Sequence, residues 1–181
     1  MKRILPAVSL MILMFVVAAH GQSSTPKPAP ELKQWDVWVG SWTLSGIAKD
    51  SPTGAEYKVD WHTHGRWILG GFFAELDHIW KGNGQELHQM EILSYDSAKK
   101  IHASSGFSSD GMTWTLTATF DNGTSVENMS LKGPDGELST CHNTWIFSSD
   151  RMAVSGTQEC EQNGVRWTSF TVKGTKDKPS H

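Results

Sequence analysis

Proline is scarce once the first thirty residues are passed: of seven prolines in 181 residues, only Pro52, Pro134 and Pro179 lie beyond Pro30. Extended segments can therefore run long without losing ladder hydrogen bonds. Basic residues are also few. The formal charge is −3, and subtracting Lys2 and Arg3 with a cleaved leader gives −5, so no basic stripe exists to neutralise phosphates and nucleic acid is not an expected partner. No heptad or Gly-X-Y period occurs, which excludes coiled coil and collagen. There is no Gly-x-Ser-x-Gly elbow and no glycine loop opening onto a helix, which argues against nucleophilic hydrolysis and nucleotide binding. What is abundant is apolar bulk. Nine Trp, seven Phe and 38% hydrophobic residues suit one globular domain.

Met1-Lys2-Arg3, the apolar run Ile4 to Val17, and the small residues Ala18 and Ala19 match a secretory signal peptide. The run is shorter than the roughly 20 residues a membrane-spanning helix needs. It gives way to a Pro/Ser-rich tether ending at Pro30. The expected organisation is a signal peptide over 1–19 cleaved after Ala19 or Gly21, a tether over 20–30, one folded domain over 31–173 and a polar tail over 174–181. The mature chain is expected to be soluble, secreted or periplasmic, with no membrane span after leader removal.

The body reads as all-β. Segments near 41–48, 55–63, 71–80, 86–95, 101–107, 112–120, 124–131, 138–147, 152–160 and 165–173 are rich in Thr, Val, Ile and aromatics and are separated by turn signals. In Thr113 to Phe120 the residues Trp114, Leu116, Ala118 and Phe120 alternate with threonines, the period of a half-buried strand. Asn122-Gly123 favours a two-residue turn, setting Leu116 opposite Met129 and Trp114 opposite Leu131. Connections after residue 71 are too short for crossovers, so neighbours in sequence pair antiparallel. An even strand number permits closure, which removes both edges, so an up-and-down barrel of about ten strands is favoured over a two-sheet sandwich. Pro30 to Val39 is the one helical candidate, with Leu32, Trp35 and Val39 on one side, placed to plug the barrel base.

Gly40-Ser41-Trp42, just after that helix, resembles the Gly-x-Trp signature of lipocalin-like (calycin) barrels. Trp67-Ile-Leu-Gly-Gly-Phe-Phe73, Leu93-Ser-Tyr-Asp96 and Gly111-Met-Thr-Trp-Thr115 resemble segments recurring in order in an uncharacterised family of secreted bacterial domains of unknown function. The resemblance covers about residues 31–173 and implies a ten-stranded lipocalin-like barrel, with no established activity attached. It makes Gly40 and Trp42 structural, and implies a cation from the last strand over Trp42, with Arg166 and Lys173 as candidates. Haem-binding barrels of similar type have a Gly-x-Trp-x-Gly-x-Gly start and a histidine near the carboxyl end. Here Leu44 replaces the second glycine and Val165 to Lys173 contains no His, so no cofactor is expected.

A barrel of this size can enclose a small apolar or amphipathic ligand. If residues 81–85 form a five-residue loop, His78 stands directly across from His88, and His78, His88, Trp80, Met90, Trp114 and Leu116 line the lumen. The two imidazoles could then anchor a polar ligand group, or one could serve as general base in an enzyme. Holding a metal would require a third donor from another strand. A third reading is an envelope interaction module, marked by an exposed aromatic patch at Trp35 and Trp38. His62 and His64 share a face with charged residues and are expected in water, as are Glu75 and Asp77. Cys141 and Cys160 are an even pair expected to form a structural staple worth about 3 kcal/mol, provided Asp150-Arg151 centres the turn between their strands. A Ser149-Asp150 turn would instead offset them by one pair.

Overall fold

The computed structural model describes residues 26–178; the leader, most of the tether and the last three residues lie outside the described residues. Every segment expected to be extended is a strand. They are β1 (Gly40–Ala48), β2 (Tyr57–Ile68), β3 (Phe73–Gly82), β4 (Gln85–Asp96), β5 (Ile101–Ser108), β6 (Thr113–Asp121), β7 (Thr124–Lys132), β8 (Leu138–Phe147), β9 (Ala153–Gln162) and β10 (Val165–Lys176). Each pairs antiparallel with the next, and β1 pairs with β10 from Trp42↔Lys176 to Ala48↔Phe170, closing the barrel. Among the described residues no strand edge is left for another chain to extend.

A 3₁₀ helix, Pro30–Val37, stops one end. Three residues per turn replace the α-helical spacing expected from sequence, so Leu32, Trp35 and Trp38 point inward, all buried, while Val39 is only half-buried. The indole N–H of Trp35 donates to the Ser94 carbonyl at 3.0 Å, and its ring meets Phe120 edge-on at 5.0 Å. Trp38 lies 4.9 Å from Trp145 and 5.1 Å from Phe147. Trp67 ties the plug from the side, donating to Asp36 Oδ1 at 2.9 Å. Trp35 and Trp38 therefore form an internal stopper, and the exposed patch that would mark an interaction module is not at these residues.

Gly40 takes a positive φ of 105° to turn the chain from plug into β1, and Trp42 is 1% exposed. The cation over Trp42 is Lys176, 5.3 Å from the ring centroid, and not Arg166 or Lys173. A bulge explains the change. Register shifts between Thr168 and Phe170, so the inward face of β10 becomes Phe170, Val172, Gly174 and Lys176, while Lys173 is exposed.

Two hairpins have the register read from sequence. Leu116 faces Met129 and Trp114 faces Leu131, and Cys141 stands opposite Cys160 in a disulfide, as an Asp150-Arg151 centre requires. The β3–β4 hairpin differs. Its loop is only Asn83-Gly84, both at positive φ, with Gly82↔Gln85 as the last pair. This is the two-residue turn that Asn-Gly favours. Trp80 consequently faces Leu87, His78 faces Gln89, and His88 faces Ile79. The inward row of β4 is Leu87, Gln89, Glu91 and Leu93, and a one-residue register change has exchanged its faces.

Up-and-down winding sorts the connections. The β2–β3, β4–β5, β6–β7 and β8–β9 turns gather at the plugged end, and the other five surround an open mouth.

Candidate functional site

Inside the barrel lies a cavity of about 530 Å³, reaching from the mouth loops to Trp35 and Trp38. That is the size range of small-molecule sites. Its tryptophans fit because facing strands supply glycines. Trp114 pairs with Gly106 and Trp145 with Gly156, and a Cβ on either glycine would fall 2.0 or 2.1 Å from the indole opposite. Each ring thus lies flat on bare backbone. Trp61, Trp80, Trp145 and Phe170 form one aromatic wall, with Trp61 5.3 Å from Trp80, 5.7 Å from Trp145 and 5.8 Å from Phe170.

A belt of buried polar side chains crosses this wall. Trp61 Nε1 donates to His78 Nδ1 at 3.2 Å, and Thr63 Oγ1 lies 2.8 Å from the same nitrogen. An indole N–H can only donate, so Nδ1 is the acceptor and Nε2 carries the ring proton. Nε2 points toward Glu91 Oε2 at 3.5 Å and makes no hydrogen bond among the described residues. Glu91 Oε1 accepts from Ser104. Glu127, from β7, accepts from Asn143 at 3.0 Å, Trp145 Nε1 at 3.2 Å and Ser125 at 3.3 Å, and Gln158 donates to Asn143 at 2.9 Å. Burial and the neighbouring Glu91 charge push the Glu127 carboxyl up to about 7, against the pull of its three donors.

Of the residues singled out from sequence, His78, Trp80, Trp114 and Leu116 line this cavity. His88 and Met90 do not. His88 is exposed beside Glu86 at 3.1 Å, and Met90 faces outward against Phe107. The expected imidazole pair is therefore not formed, and with it goes the two-histidine anchor for a ligand or metal. A base role for His88 loses its lumen, and one for His78 loses its lone pair to Trp61. Among the described residues no group of three or more His, Cys, Asp or Glu side chains is placed to hold a metal. His62 and His64 are exposed, hydrogen-bonded to Thr43 and Ser41, and Arg66 pairs with Glu75 at 2.5 Å and Asp77 at 3.6 Å on the outer wall.

Glu91, Glu127, Asn143 and Gln158 were not singled out from sequence. A signal for Glu127 was present: the β6–β7 register puts it on the inward row of Met129. The mouth adds Asp50, Asp110, Asp135 and Glu137, and among the described residues no Lys or Arg lines the cavity from rim to floor. Tyr57 donates to Asp50 at this rim, and burial raises its phenol well above the ordinary value.

No family model and no curated protein matches the chain. Among solved structures it is similar to the crystal structure of Rv2717c from M. tuberculosis, with a TM-score of 0.64 at 13% identity over 84% of this chain and 100% of that one. At that identity the likeness concerns the fold. No helix among the described residues is long and apolar enough to cross a membrane.

Proposed function

We propose that this protein is a secreted or periplasmic lipocalin-like barrel that holds a small amphipathic molecule in its lumen. The observation that carries the reading is the cavity of about 530 Å³, open at the mouth and floored by Trp35 and Trp38. A solid core would have been the cheaper way to stabilise a barrel, since filling such a volume with side chains gains dispersion and removes buried carboxylates from a dry site. The apolar part of the ligand lies against Trp61, Trp80, Trp114 and Leu116, and its polar part meets His78, Glu91 and Glu127. The disulfide is in keeping with an oxidising compartment, as the leader-like start of the sequence is.

Titration of the neutral reporter N-phenyl-1-naphthylamine tests this. Its fluorescence is expected to rise saturably with one site per chain, and Met129→Trp, which adds bulk to the lumen wall beside Gln158, is expected to abolish the rise while the circular dichroism spectrum is kept. Equal binding by this variant would place the reporter elsewhere and remove the proposal.

A further inference from the structure

Among soluble amphipathic ligands, we infer that the lumen selects a protonated organic amine with an aromatic or aliphatic body. The inference rests on the lumen being a ligand site and concerns the charge of what enters it. Glu91 and Glu127 come from strands β4 and β7, are both buried, and are close enough for the charge on one to act on the other. Two carboxylates in a site of low dielectric repel each other, and each loses hydration that the protein replaces only in part. Glu127 is supplied with three donors. Glu91 has Ser104 on one oxygen, while its other oxygen faces only His78 Nε2 at 3.5 Å. His78 itself is 4% exposed, and its 3.5 Å contact with Glu91 is too long to satisfy that oxygen as a normal hydrogen bond would. The arrangement leaves an open acceptor in the belt, and no lysine or arginine among the described residues lines the cavity beside it.

A ligand of each charge type meets this belt differently. An anion is repelled along the whole path, since the mouth is acidic too. A neutral hydroxyl can donate one hydrogen bond to Glu91 but leaves the mutual repulsion of the two carboxylates in place. An ammonium group donates to Glu91, offsets both charges, and sits beside the π-rich wall of Trp61, Trp80 and Trp145, where cation–π attraction adds to burial of its apolar body. The acidic mouth raises the local concentration of such a cation before it enters.

The test uses three ligands of matched shape: 2-(1-naphthyl)ethylammonium, 2-(1-naphthyl)ethanol and 1-naphthylacetate. Each displaces N-phenyl-1-naphthylamine from the full chain at pH 8. The ammonium is expected to bind at least about tenfold more tightly than the alcohol, with the carboxylate weakest. In Glu91→Gln/Glu127→Gln, which keeps side-chain shape, the advantage of the ammonium over the alcohol is expected to fall below about threefold. Glu91→Gln alone gives the same reading with the Glu127 hydrogen bonds intact, should the double variant fold poorly. Alcohol binding as tight as ammonium binding in the wild type overturns the charge inference and leaves the lumen reading standing. An ammonium advantage that survives Glu91→Gln also overturns it. Failure of the reporter and of all three ligands to bind overturns both.

Discussion

The two ends of the barrel are built from different materials. The plugged end is dry and aromatic: Trp35, Trp38, Trp42 and Phe147 are all buried, the last three meet ring to ring at 5.1 to 6.0 Å, and Trp35 meets Phe120 at 5.0 Å. The mouth is polar, with Asp50, Asp110, Asp135 and Glu137 on loops that make mainly local hydrogen bonds, such as Asp135 Oδ1 accepting from the Glu137 amide at 3.0 Å. Aromatic packing is therefore concentrated at one end and acidic side chains at the other. Such a division lets a site keep unfavourable charge, because the packing that pays for it lies elsewhere.

Substitutions can break or sharpen this contrast. Trp35→Ala removes a ring that is 1% exposed together with its hydrogen bond to Ser94, and is expected to cost about 3–5 kcal/mol in chemical denaturation. Replacing both cysteines by alanine is expected to lower stability by about 3 kcal/mol, measured in the same way, since the bridge closes a sequence separation of 19.

The polar belt between the two ends has its own signature in pH. Among the described residues Glu127 faces one charged group, Glu91 on β4, with the uncharged donors Asn143 and Trp145 from β8 and Ser125 on its own strand; His78 stands beyond Glu91. Its folded value, about 7, exceeds its ordinary 4.5, so the folded protein takes up the proton more readily than the unfolded chain. The resulting stabilisation is full below pH 4.5 and is lost as pH rises through about 7, amounting to about 3 kcal/mol. Glu127→Gln should flatten that slope, as seen in denaturation midpoints between pH 4.5 and 8. An unchanged slope would mean that Glu127 ionises freely.

Gly156→Ala puts a methyl 2.1 Å from Trp145 and should cost about 1–3 kcal/mol in thermal or urea unfolding. Smallest of all is Glu137→Ala at the mouth, expected within about 0.5 kcal/mol of wild type. A loss there as large as that of Trp35→Ala would erase the proposed division of labour.

Much of this barrel could be read from the chain because its strands alternate cleanly and its turns are short. Thr113 to Phe120 and its Asn122-Gly123 turn fixed both register and inward face, and with them the lumen positions of Trp114 and Leu116. The same turn rule, applied to Asn83-Gly84, would have aligned β3 with β4. The surrounding Lys81-Gly82 and Gln85 instead suggested a wider loop, and one residue of slip carried His88 and Met90 from wall to solvent. The composition of β4 points the same way. Met90 and Ile92 are apolar but point out, while Gln89 and Glu91 are polar and point in, because a cavity wall need not obey the rule for a packed core. β10 was obscured by its bulge, which no local residue type announces. The polar belt was legible only once the inward parity of each strand was known.

Closure of the barrel also decides where the two ends of the described residues meet it. Lys176 lies beside Trp42, the Asp177 amide donates to the Ser41 carbonyl at 2.8 Å, and Pro28 lies near Gly71, so both ends of the described residues lie on the stoppered side. A surface, a carrier domain or an affinity handle attached at either terminus would hold the molecule like a cup by its base, rim facing away and clear for traffic.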